Sequence, residues 1–510
     1  MTHLHNVNTT DLLAAIALGC RTMQRIFNRD DDGMPFFDAT VWPHAALAWS
    51  PNLSECHVPG RHLNALLMAE AVAGVPVDEE AIATHRRAAF FSFSGPLCLP
   101  LNREVQSGPL RIFSAHNLRE GLHALYALAH WRNDLEARAL AERFITELPQ
   151  VWSVERGWDL DRFRALDLIF QPVQGPLNGE TRMVGPLVKY YAATGSAPAL
   201  DLALQLKEQV VAKFFLPDGA YTRDRFITDH THSITGSLSS LAQLADLLDD
   251  DALFQRLKAF YDNGLWTMRD EIGWTPGGAL IRDSDAGESG NPGDIVETAI
   301  ILGRRGWPQY YADAERILRC HLLPSQLRDA SFIPAHPNPD GLDGLRDAAD
   351  RMLGAFGVPA PYGFLARGKG RDSIGFFMDV VGSVVGSLCA AFAHVARWET
   401  TGHPVLIPGS MGDSSFILRP RPGAARSLYS VNHGCGRRKS RSAARRDITQ
   451  ATADKQMRDL GVLVNAGGHV PVDESPDCYK PADEVIRSVV EAGLAEVETK
   501  LWPLASIKGD

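Results

Sequence analysis

Four times between residues 122 and 323, a stretch with apolar residues three and four positions apart is followed, across a turn, by a second stretch of the same kind. The pairs are 122–131 with 134–148, 187–194 with 198–215, 238–248 with 252–261, and 295–303 with 310–323. The turns hold Asn-Asp, Gly-Ser, Asp-Asp and Gly-Trp-Pro, and Pro198 stands at a first helical position, where a missing N–H costs nothing. Each pair is a helical hairpin with an apolar face that it cannot bury alone, so hairpins must stack on one another. Strand-like alternation is nearly absent before residue 400, and two all-α arrangements remain: an open solenoid or a closed α/α toroid.

The connections favour the toroid. Segments 36–61, 91–113, 216–232, 275–294 and 334–372 are long, aromatic and polar, where a solenoid would have short and uniform ones. Segment 377–398 is apolar nearly all round and reads as the last, buried helix of this part. Segment 12–20 (LLAAIALGC) reads as a buried helix capped by Thr9 or Thr10 rather than a signal peptide, because nothing basic precedes it and Asp11 and Arg21 flank it.

After a Gly-His-Pro break the texture changes. HPVLIPGSMG, SSFILRP, SLYSVNHG and LGVLVNAGG are short β-rich pieces bounded by Gly and Pro, with one predicted helix at 482–492. The expected organisation is therefore multidomain: residues 1–402 as an all-α toroid of helical hairpins, then 403–510 as a small α+β segment. Charge follows the same division. Residues 403–510 carry 15 basic and 13 acidic side chains, which leaves 36 and 48 for the remainder of the chain. An acidic body argues against nucleic-acid binding by the body, since phosphate contacts need clustered cations. No stretch reaches the 18 or so apolar residues of a membrane span, and no membrane partner is expected. Seven scattered cysteines without a CxxC pair fit a reducing cytoplasm.

The small segment holds two glycine loops. Pro408-Gly409-Ser410-Met411-Gly412 follows an apolar strand, and consecutive N–H groups in such a turn can hold an anion. The second, Asn432-His433-Gly434-Cys435-Gly436-Arg437, opens a run in which six of the ten residues from 437 to 446 are basic. A neutral imidazole in a bare loop can reach a phosphorus atom, and neighbouring guanidinium groups can stabilise charge on phosphoryl oxygens. At HPVLIPGSMG, NHGCGRRKSR, DESPDCYK and LWPLASIKGD the segment resembles RtcB-type RNA ligases, which join RNA 3′-phosphate and 5′-hydroxyl ends using GTP and manganese. The resemblance implies that His433 is the catalytic histidine that takes GMP. It also implies guanylate contacts from Pro408, Gly409, Ser410, Met411, Ser415, Gly434, Cys435 and Gly436, with Tyr479 and Lys508 at the base. GTP or GMP, manganese and RNA ends are the implied cofactors and partner. Cys435 and Lys439 depart from the family's usual small residue and methionine. Patterns resembling DIGCG and GNHF, which supply the family's metal ligands, do not occur upstream. His116-Asn117 is the nearest look-alike, and Ser114 before it suggests a helix start. The metal ligands are therefore unassigned.

In the body, carboxylates lie close to aromatics and histidines: 37–44 with Asp38, Trp42 and His44; 55–62 with Glu55, His57, Arg61 and His62; Asp229-His230-Thr231-His232; and Asp285 through Glu288, Asp294 and Glu297. Paired carboxylates suit acid–base work on a glycosidic bond, and Trp faces suit sugar rings. Glu288 and Asp294 are the expected pair, sharing a cavity with Trp42 or His57. The hairpin-and-loop pattern resembles the α/α-toroid carbohydrate-active enzymes at the level of fold, which implies a glycan partner and a glycosidase-like activity. Three functions are open: an RNA-ligase-related protein, a carbohydrate-active enzyme, and a non-catalytic binding protein.

Overall fold

The computed structural model describes residues 12–42, 46–222, 230–277, 287–326, 374–396, 403–428, 430–464 and 470–507. The chain divides into two compact units, Met1–His394 and Val395–Asp510, against an expected boundary between residues 402 and 403.

The first unit is a closed double ring of helices. Its inner members are α2 (His57–Ala73), α4 (Leu118–Trp131), α7 (Val184–Thr194), α9 (Thr231–Leu248) and α11 (Gly290–Arg304), each packed on the next. Their outer partners α3 (Glu79–Ser92), α5 (Leu135–Glu147), α8 (Ala197–Lys213), α10 (Asp251–Asp262) and α12 (Gln309–Ile317) follow directly in sequence. A short α6 (Leu160–Ala165) lies in a connection. The last helix of the unit, α13 (Met378–Ala396), closes the ring. Its first carbonyl, at Met378, lies 2.9 Å from His62 Nε2 of α2. A methyl group at Gly382 would come within 2.9 Å of the Arg61 main chain, and Ser387 lies against Gly293 of α11. Helix α1 (Leu12–Met23) packs outside α13, with Gly19 facing Val385. The arrangement is an α/α toroid, as the hairpin rhythm and long connections predict.

Local signals set the helix starts. The carboxylates of Asp78, Asp134 and Asp250 accept N–H groups of the first turns of α3, α5 and α10, and Gly74 and Gly195 end α2 and α7 in the left-handed region. One apolar core, running from Ala15 to Ala391, fills the space between the rings.

Two features depart from the sequence expectation. The segments read as loops at 36–61 and 91–113 contain strands: Asp38–Trp42 pairs with Ala46–Ala48 and Ile374–Phe377, and Leu110–Ser114 pairs with Leu101–Arg103 and Ile169–Gln171. At three to five residues each they are too short to display a period of two. Helices also begin earlier than the apolar periodicity, α9 at Thr231 rather than 238 and α11 at Gly290 rather than 295.

The second unit is α+β. Strands Val405–Ile407, Ser415–Pro420 and Ala495–Leu501 form an antiparallel sheet with Ser415–Pro420 in the centre. Helix α16 (Ala482–Glu491) covers it through Ile407, Phe416, Leu418, Ile486 and Val489. A second small core gathers Met411, Ala444, Ala453, Met457 and Cys478 around α14 (Arg441–Asp447) and α15 (Gln450–Asp459), two helices beyond the one expected at 482–492. SLYSVNHG, expected as β, starts at the last residue of a 3-10 turn over Pro422–Ser427 and forms no strand among its described residues. Among the described residues no helix is long and apolar enough to cross a membrane.

Candidate functional sites

The first turns of the inner helices converge at one end of the toroid, and their side chains are polar and mostly buried. His57 and Arg61 come from α2, and Arg119 and Glu120 from α4. His116 lies in the 3-10 turn before α4, Arg182 in the one before α7, and His232 and Asp294 open α9 and α11. Four imidazoles form a row: His57 stacks on His116 with centroids 5.3 Å apart, His116 lies 5.4 Å from His230, and His230 lies 5.9 Å from His232. An apolar-periodicity search begins one turn too late to see these residues, because a helix whose first turn lines a polar site carries no apolar stripe there.

Glu120 organises one side. Its Oε1 lies 3.0 Å from Arg182 Nη2, 3.1 Å from Arg61 Nη2 and 3.6 Å from Arg119 Nη1, while its Oε2 lies 3.6 Å from His57 Nδ1. Burial opposes its charge, but Arg182, His57, Arg61 and Arg119 together hold the carboxyl well below the usual range. Sequence reading missed Glu120 and Arg182. Glu120 sits in LREGLHALYALAHW, where one acidic residue in a first turn looks like a favourable dipole contact.

His232 organises the other side. Its Nδ1 lies 3.0 Å from Glu288 Oε1 and its Nε2 lies 3.3 Å from Asp294 Oδ2; His230 Nε2 lies 3.3 Å from Glu288 Oε2. Burial works against protonated His232, yet the two carboxylates raise its pKa. Both carboxyls titrate below their ordinary values: burial opposes this, but His232 and then His230 outweigh it at Glu288, and His232 with Arg119 at Asp294. Glu288 and Asp294 are thus brought together, as expected, and Arg61 links them to the His57 side by a 3.3 Å contact with His232 Nδ1. Both carboxylates face cationic partners, whereas a glycosidic acid needs surroundings that keep its proton. Below this mouth a cavity of about 60 Å³ is lined by Arg61, Arg119, His123, Lys189, Asp294 and Glu297.

Other expected residues serve structure. Glu55 binds Trp49 Nε1 at 2.8 Å and Arg103 Nε at 2.6 Å, and Arg103 also grips Asp31. His62 turns to the Met378 carbonyl while His57 faces Asn117 Oδ1 at 3.0 Å, so the two do not chelate one ion. Ser114 accepts the His116 N–H at 3.4 Å and caps that turn. The Trp42 side chain, His44, Asp229, Asp285 and Lys508 lie outside the described residues.

In the second unit the two glycine loops adjoin. Cys435 Sγ lies 3.5 Å from the Pro408 carbonyl, and the nearest atom to a methyl at Gly434 is that same oxygen at 3.7 Å. Gly409 is required by a close approach: its Cβ would lie 2.8 Å from the Asp413 carbonyl oxygen, and its N–H reaches Ser415 Oγ at 3.1 Å. Asp413 in turn accepts the first N–H of α16 at 2.8 Å, tying the loop to the sheet's cover helix. Ser410 is half-buried, Met411 is buried, and His433 is exposed at the loop surface. Gly436 takes φ +69° with open space around it. Tyr479 is brought next to this loop, with Arg437 Nη1 donating to its hydroxyl at 2.9 Å and the guanidinium 4.8 Å from its ring centroid.

The arginines do not stand ready for phosphate. Arg437 and Arg441 meet Glu474 at 3.4 and 3.3 Å, Arg445 meets Asp473 at 3.0 Å, and Arg438 donates to the Asp477 carbonyl at 3.0 Å. DESPDCYK thus supplies counter-charges to the basic run. A manganese ion does not find a cage: among the described residues of this unit no three His, Cys, Asp or Glu side chains converge as ligands.

Residues 386–509 match the family model described as tRNA-splicing ligase RtcB. The chain is 39% identical over 114 residues to the tRNA-splicing ligase RtcB of Methanopyrus kandleri, which covers 22% of this chain and 12% of that protein. It is 37% identical over 115 residues to the one of Nanoarchaeum equitans, covering 22% and 24%. It thus spans a quarter or less of the length of these curated relatives. Among solved structures, an unsaturated glucuronyl hydrolase specific for heparin is similar at 13% identity and a TM-score of 0.48, covering 76% of this chain and 98% of that one. A sugar epimerase from a ruminal bacterium is similar at 14% and 0.47, covering 62% and 88%. The C-terminal unit is related to the RtcB ligases over the part of them that it contains.

Proposed function

We propose that residues 403–510 bind a guanine nucleotide, with the phosphate beside Gly434–Gly436, the base near Tyr479 and Lys508, and His433 facing the phosphorus. The observation that carries this reading is the meeting of the 408–412 and 432–437 loops through Cys435 and Pro408, since it brings two glycine loops 20 or more residues apart in the chain side by side. Residues Ser415 and Asp413 hold the first loop in shape, and Arg437 orients Tyr479. When bound, GTP would supply an activated α-phosphorus for transfer to His433, with pyrophosphate leaving, in the manner of the RNA 3′-phosphate ligases. With no metal cage among the described residues of this unit, binding is the expected activity and guanylylation at most inefficient.

Titration of the full chain with GMP and GTP is expected to show binding that weakens with added salt and is reduced at least about tenfold by Lys508→Ala, the loss of one charged contact. His433→Ala should bind GMP normally but acquire no label from α-labelled GTP. No binding at millimolar GMP would make this unit a structural relic of the ligase.

A second reading is favoured by the mouth of the toroid. Imidazoles, guanidiniums and carboxylates converging on a partly open site suit a polar, hydroxyl-rich ligand of the carbohydrate class, which such groups bind from several sides. With Glu288 and Asp294 both facing cationic side chains, this reading is of binding and positioning rather than of a two-carboxylate hydrolase.

A further inference from the structure

The Glu288 carboxylate faces one ring nitrogen of each of two imidazoles. His230 Nδ1 lies 2.8 Å from Ser233 Oγ, and that hydroxyl donates to Asn178 Oδ1 at 2.8 Å. With its one hydrogen used there, the serine oxygen is the acceptor, so Nδ1 carries the His230 proton. Nε2 then turns a lone pair toward Glu288 Oε2, 3.3 Å away. His232 repeats the pattern with its nitrogens exchanged. Arg61, which has only donors, reaches Nδ1 at 3.3 Å, and Asp294 lies 3.3 Å from Nε2. His232 Nδ1, the nitrogen on the Arg61 side, faces Glu288 Oε1 at 3.0 Å. Two ring nitrogens and one carboxylate converge here as the ligands of a single cation do.

We propose that His230 Nε2, His232 Nδ1 and the Glu288 carboxylate form a divalent transition-metal site, zinc being the ion that two imidazoles and one carboxylate suit best. The three ligand atoms lie within 4.8 Å of one another. Behind them stand the partners such ligands need. Ser233 fixes the His230 tautomer, and Asp294 holds the far nitrogen of His232 as a carboxylate–histidine–metal arrangement requires. The site is closed on one side and open on the other: the His232 side chain is 1% exposed, and those of Glu288 and His230 10% and 28%. An exposed edge leaves a coordination position for water. An entering ion replaces the Arg61 contact on Nδ1, and Arg61 keeps its ion pair with Glu120 at 3.1 Å. The ion uses Glu288 as a ligand, so this site stands independently of both the nucleotide reading and the carbohydrate reading.

The test is metal titration of the chelator-stripped full-length protein, with zinc against a chromophoric chelator and with cobalt(II) read by its visible absorption. The expected result is one equivalent per chain, with affinity lowered at least about 100-fold in Glu288→Gln and in His230→Ala. Asp294→Asn, which removes only the orienting partner, should weaken binding about 10–100-fold. His433→Ala should leave the titration unchanged, which separates this site from any metal recruited by the nucleotide unit. Near-UV circular dichroism of Glu288→Gln and His230→Ala checks that each is folded. No stoichiometric binding by the wild-type chain, or equal binding by both folded variants, overturns the proposal.

Discussion

Replacing Glu120 with glutamine is expected to destabilise the helical unit by about 3–5 kcal/mol, the usual cost of removing one partner from a buried ion cluster. Glu120 has no exposed surface, and its Oε1 is the shared acceptor for Arg182, Arg61 and Arg119. Glutamine keeps the shape and loses the charge, which leaves three guanidiniums at one point without their common counter-ion. Chemical denaturation of the variant should show a lower midpoint at unchanged slope. Adding Arg182→Met to Glu120→Met should recover part of the loss, because Arg182 is then no longer a buried charge beside an empty position. Additive losses in the double variant would show that packing, not charge, sets the cost.

The same residue gives a pH dependence of definite sign. The folded-state pKa of Glu120 lies well below its unfolded value of about 4.3. A depressed carboxyl contributes stability that is fully present above the unfolded value and is lost as pH falls below it toward the folded one. The acid limb of the stability curve should therefore begin near pH 4–5 in the wild type and be flatter in Glu120→Gln. An unchanged acid limb would mean that other carboxylates carry the effect.

How far the sequence disclosed this molecule depends on what each residue had to bury. Hairpins such as α4 with α5 and α9 with α10 were legible because their faces meet an apolar core, and Asp134 and Asp250 announced the second helix of each pair. Helix α2 begins inside the segment read as a loop at 36–61, and α3 ends inside the one at 91–113. The first turn of α2 reads His-Val-Pro-Gly-Arg, with a proline and a glycine that ordinarily mark a break, and α3 carries charged residues through much of its length. Grouping His230, His232, Glu288 and Asp294 as candidates succeeded because loops rich in such residues build sites. Glu120 and Arg182 escaped because a lone buried charge has no pattern, and only the fold shows that α2, α4 and the turn before α7 aim cations at Glu120. In the second unit the glycine loops were legible from their own chemistry. The basic run was not, since its arginines are matched by Asp473, Glu474 and Asp477 some 30 residues away in the chain.

The second large effect is expected at Gly60, which stands one residue before Arg61 where α2 crosses α4. A Cβ there would lie 2.8 Å from Glu120 Cα and closer still to the Glu120 carbonyl group. The obstacle is main chain inside a helix, so no side-chain rotation relieves it, and the two helices must separate. Gly60→Ala is therefore expected to cost about 3 kcal/mol, the upper end for overpacking, in spite of alanine's better helix propensity. Gly74, at the other end of the same helix, is the control. It sits at φ +62° with no atom within 4 Å of a Cβ, so alanine there pays only left-handed strain, on the order of 1 kcal/mol. The two variants also differ in what they disturb. Moving α2 away from α4 displaces Arg61 from Glu120 and from His232, so Gly60→Ala should remove the ion's competitor at His232 Nδ1 and leave zinc binding at the toroid mouth no weaker, while it lowers the melting temperature. Gly74→Ala should lower the melting temperature slightly and leave the metal titration as it was. Equal melting temperatures for the two would mean that the α2–α4 crossing has room the structure does not show.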